Sequence, residues 1–123
     1  MMFKDNEIVV TAGFERIVFI QRIDGDYIYA KVMRGVKDPD ADLNKPWIEL
    51  HFRKPKARDM EQGDIFNLGD DCDVYNSLLN PFKCVERDHK KGIMRVVSDV
   101  DGTKYELEGN EPIEFLHVEG SKL

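Results

Sequence analysis

Apolar and polar residues alternate along most of the chain, and this period of two predicts β-strands. The clearest case is residues 16–33, where two runs rich in β-branched and aromatic residues flank Asp24-Gly25. An Asp-Gly pair between such runs is a strong signal for a tight hairpin. Both faces of this hairpin are largely apolar near its middle, which predicts strands that are covered on both sides.

Strict alternation assigns the side chains of the hairpin to two faces. In the first arm, one face holds Ile17, Phe19, Gln21 and Ile23, and the other holds Val18, Ile20 and Arg22. In the second arm, one face holds Tyr27, Tyr29, Lys31 and Met33, and the other holds Ile28, Ala30 and Val32. We interpret the aromatic cluster of Phe19, Tyr27 and Tyr29 as core filling. The alternative is a binding groove for a peptide or a nucleotide.

The C-terminal third has the same pattern of β-rich runs on either side of a turn. Residues 83–89 and 93–100 flank a Lys-Lys-Gly turn, and Asp101-Gly102 leads into residues 103–109. In this last run, one face holds Thr103, Tyr105 and Leu107, and the other holds Lys104, Glu106 and Glu108, which is typical of a half-buried strand. Further strand candidates are residues 7–10, 47–52 and 113–118.

One short helix is predicted over residues 71–79, with Asp70 as its N-cap and Asn80-Pro81 ending it. Two polar connections, residues 34–46 and 53–64, are longer than most loops, and loops of that length are often functional or mobile.

These elements predict a mostly β protein that forms a single domain over residues 1–123. This pattern of short strands, tight turns and polar loops is typical of a small SH3-like barrel of the Tudor or KOW kind, or of a partly open β-barrel. Such a fold would have about six or seven antiparallel strands and one short helix. A β-sandwich or an OB-like barrel is the alternative.

The chain has no apolar run long enough for a transmembrane helix, so no membrane partner is expected. Its first residues do not form a signal peptide, because the basic start and the apolar stretch are both missing. Cys72 and Cys84 are therefore expected to be reduced thiols. A cytoplasmic location is predicted.

Charge is segregated along the chain, although the net charge is −6. Residues 53–58 carry four bases and no acid, whereas residues 61–80 carry five acids and no base. A second basic segment spans residues 87–95.

The two basic loops could form one positive patch for phosphates or for an acidic partner, and Trp47 beside the first loop could act as an interface anchor. The candidate binding residues are Trp47, Arg53, Lys54, Lys56, Arg58, Lys90, Lys91 and Arg95. The alternative is that both loops are ordinary solvated turns.

No catalytic, cofactor or metal motif is recognisable. The histidines at 51, 89 and 117 do not have metal-ligand spacing, and Asp70, Asp71 and Asp73 are explained by a helix N-terminus. No cofactor and no metal are therefore expected. A Cys-His nucleophile pair of Cys84 and His89 stays open, because such pairs are judged in space rather than in sequence.

We predict a non-enzymatic binding module that acts on a macromolecular partner, with a protein as the leading partner class. A small phage-type or virus-type protein that modulates a host component would fit this description. One alternative is a nucleic-acid-associated β-barrel that uses basic loops 53–58 and 87–95. Another is a small enzyme with a Cys/His site.

Overall fold

The computed structural model describes residues 2–13, 15–35, 46–68 and 79–121. Strands hold 53% of these residues and helical turns 7%, which confirms a mostly β protein. The described residues contain nine strands, more than the six or seven predicted. The helix predicted over 71–79 and the thiol of Cys72 fall on residues 69–78, outside the described ranges, apart from the last helix position.

The chain divides into two compact units, Met1–Arg53 with Gly120–Leu123, and Lys54–Glu119. The prediction of a single domain stays a prediction, and each unit is described by itself. The first unit contains one antiparallel sheet with the order β3-β2-β1-β4. Its strands are β1 (Ile8–Thr11), β2 (Ile17–Asp24), β3 (Tyr27–Arg34) and β4 (Phe52–Arg53).

The second unit contains an antiparallel sheet with the order β8-β7-β6-β5-β9. Its strands are β5 (Ile65–Leu68), β6 (Phe82–Asp88), β7 (Ile93–Ser98), β8 (Lys104–Glu108) and β9 (Ile113–His117). Over the described ranges, neither sheet closes into a barrel.

The hairpin predicted around Asp24-Gly25 is confirmed, with a turn one residue later than the dipeptide suggests. Asp24 is the last residue of β2 and pairs with Tyr27, so Gly25 and Asp26 form the turn. Gly25 has a φ of +60°. A two-residue turn with glycine first and a positive φ at that position suits the right-handed twist of the strands.

A β-bulge at Gln21 overturns part of the predicted face assignment. Ile20 pairs with Ala30 and Arg22 pairs with Tyr29, so Gln21 is an extra residue between them. A bulge of one residue reverses the alternation beyond it. The prediction that Arg22 shares a face with Val18 and Ile20 is therefore wrong.

Ile23 takes the place that strict alternation gave to Arg22. It packs against the core cluster of the first unit. That cluster consists of Phe3, Val9, Val18, Ile20, Ile28, Ala30 and Phe52. The opposite face of the sheet carries Phe19, Arg22, Tyr27, Tyr29 and Lys31, because cross-strand partners share a face.

The strand predicted over residues 47–52 is wrong for most of its length. Trp47 makes only an isolated bridge to Ile28, and Glu49–His51 is a 3₁₀ turn before β4. The ring of His51 explains the turn, because its Nδ1 accepts a hydrogen bond from the N–H of Ile48 at 3.1 Å. This contact ties the backbone to itself instead of to a neighbouring strand.

The core of the second unit lies on one face of its sheet. Phe66 and Phe82 are fully buried, with ring centroids 6.0 Å apart, and Tyr105 packs 5.8 Å from Phe82. The alternation predicted for residues 103–109 is confirmed, since Leu107 is buried while Lys104, Glu106 and Glu108 are exposed. A second bulge, at Val85, sets Glu86 opposite Arg95.

Asp64 is a fully buried carboxylate that joins the start of β5 to the end of β9. One of its oxygens accepts the N–H of Glu61 at 2.7 Å, and the other accepts the N–H of Glu119 at 2.8 Å. The buried carboxylate is thus compensated by two backbone N–H donors.

Candidate functional site

The aromatic-basic face is the name used here for the side chains of Phe19, Arg22, Tyr27, Tyr29 and Lys31, on the side of the first sheet opposite its core. Tyr27 is 52% exposed, and Phe19 and Tyr29 are half-buried. The prediction that this aromatic cluster fills the core is therefore wrong for Tyr27. Large aromatic rings at a sheet surface suit the binding of flat ligands.

Arg22 stacks on an aromatic ring of this face. Its guanidinium carbon lies 4.0 Å from the centroid of Tyr29, within the range of a cation–π contact. One guanidinium nitrogen also lies 3.7 Å from a carboxylate oxygen of Asp24, and both side chains are largely exposed. The bulge at Gln21 creates this arrangement, because without an extra residue Arg22 would point to the core side.

Cations outnumber acids on the strands of this face. Lys31 is exposed and lies opposite Phe19, while Arg53 of β4 lies opposite Val10 on the same side. Arg53 also lies 3.6 Å from the carboxylate of Glu15. This side of the sheet thus holds three bases, and Asp24 and Glu15 contact two of them, Arg22 and Arg53.

The two predicted basic loops approach each other in the second unit. A Cβ atom at Gly109 would lie 3.2 Å from the Cβ of Arg58 and 3.8 Å from the carbonyl oxygen of Gly92. Gly92 ends the exposed turn that carries Lys90 and Lys91. Arg58 of the first loop and the lysine turn of the second therefore meet around Gly109.

Carboxylates are interspersed with these bases. Asp59 accepts the N–H of Lys56 at 2.8 Å, and Asp88 accepts the N–H groups of Lys90 and Lys91 at 3.1 and 3.2 Å. These side chains stabilise the turns and bring negative charge next to the bases. The charge around Gly109 is therefore mixed. Lys54 is exposed in the same unit and Lys56 is half-buried, whereas Arg53 belongs to the first unit.

Arg95 lies in an acidic environment on the outer face of β7. Its guanidinium contacts Glu86 at 2.8 Å, Glu106 at 3.6 Å and Asp88 at 3.9 Å. The hydrogen bond and the charge of Glu86 raise the pKa of Arg95 above its usual value. Three carboxylates surround this one predicted phosphate ligand, so it suits cross-strand pairing better than anion binding.

Replacing Arg95 with methionine is expected to lower the urea midpoint by the same amount at about pH 6 and about pH 9. An arginine with a raised pKa stabilises the fold below its unfolded pKa, and this stabilisation is lost only as the pH rises through the folded value. Since both lie far above pH 9, the contribution is constant over that range. At about 1 M salt the effect should shrink by about half or more.

The control for this prediction is Arg22→Met, which removes an exposed arginine with one carboxylate at 3.7 Å. It should lower the midpoint less than Arg95→Met does. If the decrease in the urea midpoint of Arg95→Met differed strongly between the two pH values, the effect could not be assigned to the charged guanidinium.

Trp47 is half-buried and closes one edge of the first core. It exchanges two backbone hydrogen bonds of 2.8 Å with Ile28, and its ring lies 5.5 Å from those of His51 and Phe52. Next to it, Leu50 is 85% exposed and Ile48 38%. The predicted anchor residue thus packs inward, and its apolar neighbours are more accessible than the indole ring.

Cys84 is fully buried in β6, and its thiol lies 3.8 Å from the carbonyl oxygen of Glu86. A reactive thiol has to be reachable by its substrate, so the burial of Cys84 favours a core role. His117 pairs with Glu119 at 3.1 Å. Among the described residues, no group of three or more His, Cys, Asp or Glu side chains could hold a metal ion.

No family model, curated protein or solved structure matches this chain. Within the described ranges, no helix is long and apolar enough to cross a membrane.

Arg22 and Lys31 were not predicted as binding residues. Strict alternation assigns Arg22 to the same face as Val18 and Ile20, and the bases of the hairpin are fewer than those of the basic loops. A signal for Arg22 was present in the spacing of the apolar residues. Ile20 and Ile23 are three apart in β2, whereas their partners Ala30 and Ile28 are two apart in β3. That mismatch requires an extra residue in β2.

Proposed function

We propose that the protein is a non-enzymatic binding module that holds nucleic acid on the aromatic-basic face of its first sheet. The observation that carries the proposal is the stack of Arg22 on Tyr29 beside the exposed ring of Tyr27. Rings and guanidinium planes bind bases, and cations bind phosphates. The proposal includes the predicted cytoplasmic location, where nucleic acid is within reach.

Local charge supports this partner better at the first sheet than at the basic loops. The exposed bases Arg22 and Lys31 have one acid, Asp24, on their paired strands. Around Gly109 the bases alternate with carboxylates. Because phosphate contacts depend on local rather than total charge at physiological salt, a net charge of −6 does not prevent binding at a small positive face.

The test is the affinity for a labelled single-stranded oligonucleotide of about 20 nucleotides at several salt concentrations. Removing both cations in the double variant Arg22→Gln, Lys31→Gln should weaken binding by roughly 25-fold at about 0.1 M salt, since two phosphate contacts are lost. The salt slope should fall by about 1.4.

The matched control is Lys90→Gln, Lys91→Gln, which removes the same charge from the exposed turn of the second unit. Its affinity should stay within about twofold of the parent, since the proposal gives these lysines no phosphate contact. If the control variant loses binding and the Arg22, Lys31 variant keeps it, the basic loops are the site. If the parent protein binds no oligonucleotide, the proposal is wrong.

A protein partner is the second candidate, favoured by a separate observation. Leu50, Ile48 and Met2 are large apolar side chains exposed by 85%, 38% and 63%. The N–H of Met2 donates to Glu49 at 2.9 Å, so these residues are neighbours. Exposed apolar patches often mark protein interfaces, including those by which a phage-type protein would bind a host component.

This candidate is tested by capture from a host lysate after nuclease treatment. A specific protein that binds the parent but not Leu50→Asp would support it. Lys104→Asp, a change at an exposed position of the second unit, is the control and should still capture that protein.

A further inference from the structure

The aromatic-basic face presents two rings of β3 at a fixed spacing. Tyr27 and Tyr29 are two residues apart in one strand, so they lie on one face about 6.6 Å apart along it. Neighbouring bases in a duplex are held about 3.4 Å apart. A single strand can spread its bases to the wider spacing, whereas a duplex cannot do so without unstacking.

Ring faces at a sheet surface also select for unpaired bases by their accessibility. In a duplex the flat surfaces of the bases are covered by their neighbours, and only the base edges are reachable in the grooves. The exposed ring of Tyr27 can contact a base only if that base is unstacked.

We propose that the aromatic-basic face binds single-stranded nucleic acid by stacking unpaired bases on Tyr27 and on the Arg22–Tyr29 pair. This inference rests on the proposed function and names the class of nucleic acid that the same face takes. Lys31 and the edge of the Arg22 guanidinium would contact the phosphates. Because every base has a flat face, binding should tolerate different sequences.

Charge complementarity argues for this occupant over a peptide. Arg22 and Lys31 are exposed bases at adjacent positions of this face, with Asp24 in contact with Arg22, and two exposed bases suit a polyanion. Tyr29 lies between Arg22, its cross-strand partner, and Lys31, two residues along β3, as required when bases and phosphates of one strand are bound together.

The experiment compares a dT oligomer of about 20 nucleotides with a duplex of the same length at equal salt, using the whole chain. The oligomer should bind at least about tenfold more tightly than the duplex. Tyr27→Ala should weaken oligomer binding by about tenfold, because one stacked base is lost. Tyr27→Phe should stay within about twofold of the parent, because it keeps the ring face.

A fluorescent base in the oligomer separates stacking from a general loss of structure. A single 2-aminopurine should be quenched on binding to the parent and to Tyr27→Phe, and less so on binding to Tyr27→Ala. Since Tyr27 is exposed, both variants should have the circular dichroism spectrum of the parent.

The outcomes distinguish this inference from the function on which it rests. If duplex and oligomer bind equally and the Arg22→Gln, Lys31→Gln variant weakens both, the face binds phosphates and the stacking inference is overturned. The same conclusion follows if Tyr27→Ala binds the oligomer as the parent does. If neither nucleic acid binds, both proposals are overturned.

Discussion

Replacing Phe82 with alanine is expected to lower the free energy of unfolding by about 3–5 kcal/mol. Phe82 is fully buried at the start of β6, where its ring packs on those of Phe66 and Tyr105. Removing the ring loses its transfer free energy and leaves a cavity between three strands. Since a domain of this size is stabilised by about 5–15 kcal/mol in total, the variant should lose a large part of its stability.

The control is Val85→Ala on the same strand, where the side chain is 41% exposed, and it should change stability by less than about 0.5 kcal/mol. Urea unfolding followed by circular dichroism measures both variants. A loss below about 1 kcal/mol for Phe82→Ala would contradict the assignment of this residue to the core.

The same titration tests whether the chain is one domain, as its sequence predicts. Trp47 is the only tryptophan and lies in the first unit, so its fluorescence reports on the unfolding of that unit. If the chain unfolds as one domain, Phe82→Ala should shift the fluorescence and dichroism transitions together. A shift confined to the dichroism signal would show two independent units and contradict the prediction.

Replacing Asp64 with alanine is expected to cost about 3 kcal/mol or more. The fully buried carboxylate accepts the N–H groups of Glu61 and Glu119, and each hydrogen bond to a charged group contributes roughly 1.5–3 kcal/mol. Without the carboxylate, these donors lose their acceptor. Asp64→Asn keeps one carbonyl oxygen but turns an NH2 donor towards the other N–H, so it should recover only a small part of the loss.

Asp59→Ala is the matched control for Asp64. Asp59 also accepts a backbone N–H, that of Lys56 at 2.8 Å, from a half-buried position in a local turn. Its loss should cost about 1 kcal/mol, as for other local caps. Equal losses in the two alanine variants, measured by urea unfolding, would contradict the importance of burial at Asp64.

Alternation and turn residues were enough to predict the hairpins, because both signals are local. The pairing of Asp24 with Tyr27 and the half-buried pattern of β8 depend only on neighbouring residues. The bulge at Gln21 was missed because strict alternation cannot count an extra residue. Its signal becomes visible only when the spacing in both arms of the hairpin is compared.

Two other elements, β5 and the 3₁₀ turn Glu49–His51, could not be predicted from local alternation. Their formation depends on contacts that are distant in sequence or on side-chain chemistry. The four residues of β5 were missed because they are few and lie within the acidic segment 61–80, although they lie between β6 and β9 in the sheet. Residues 47–52 alternate like a strand, but the ring of His51 holds the N–H of Ile48 and favours a 3₁₀ turn.

The candidate site was predicted only in part. The sequence identified exposed bases but not their surroundings, because register decides which charges meet. Arg95 is nine residues from Glu86 and eleven from Glu106 in sequence, yet it pairs with both across the sheet. The sequence indicates that Tyr27 and Tyr29 form an aromatic cluster. Only the burial of each ring in the structure shows whether that ring lies in the core or at the surface.

The proposal that nucleic acid binds to the aromatic-basic face can be tested by crosslinking. The measurement shows which residues of the protein crosslink to a bound oligomer. A photoreactive dT oligomer bound to the parent protein would be crosslinked, and the modified residues identified by mass spectrometry. Crosslinks are expected in β2 and β3, centred on Tyr27. Crosslinks confined to the basic loops 53–58 and 87–95 would contradict it.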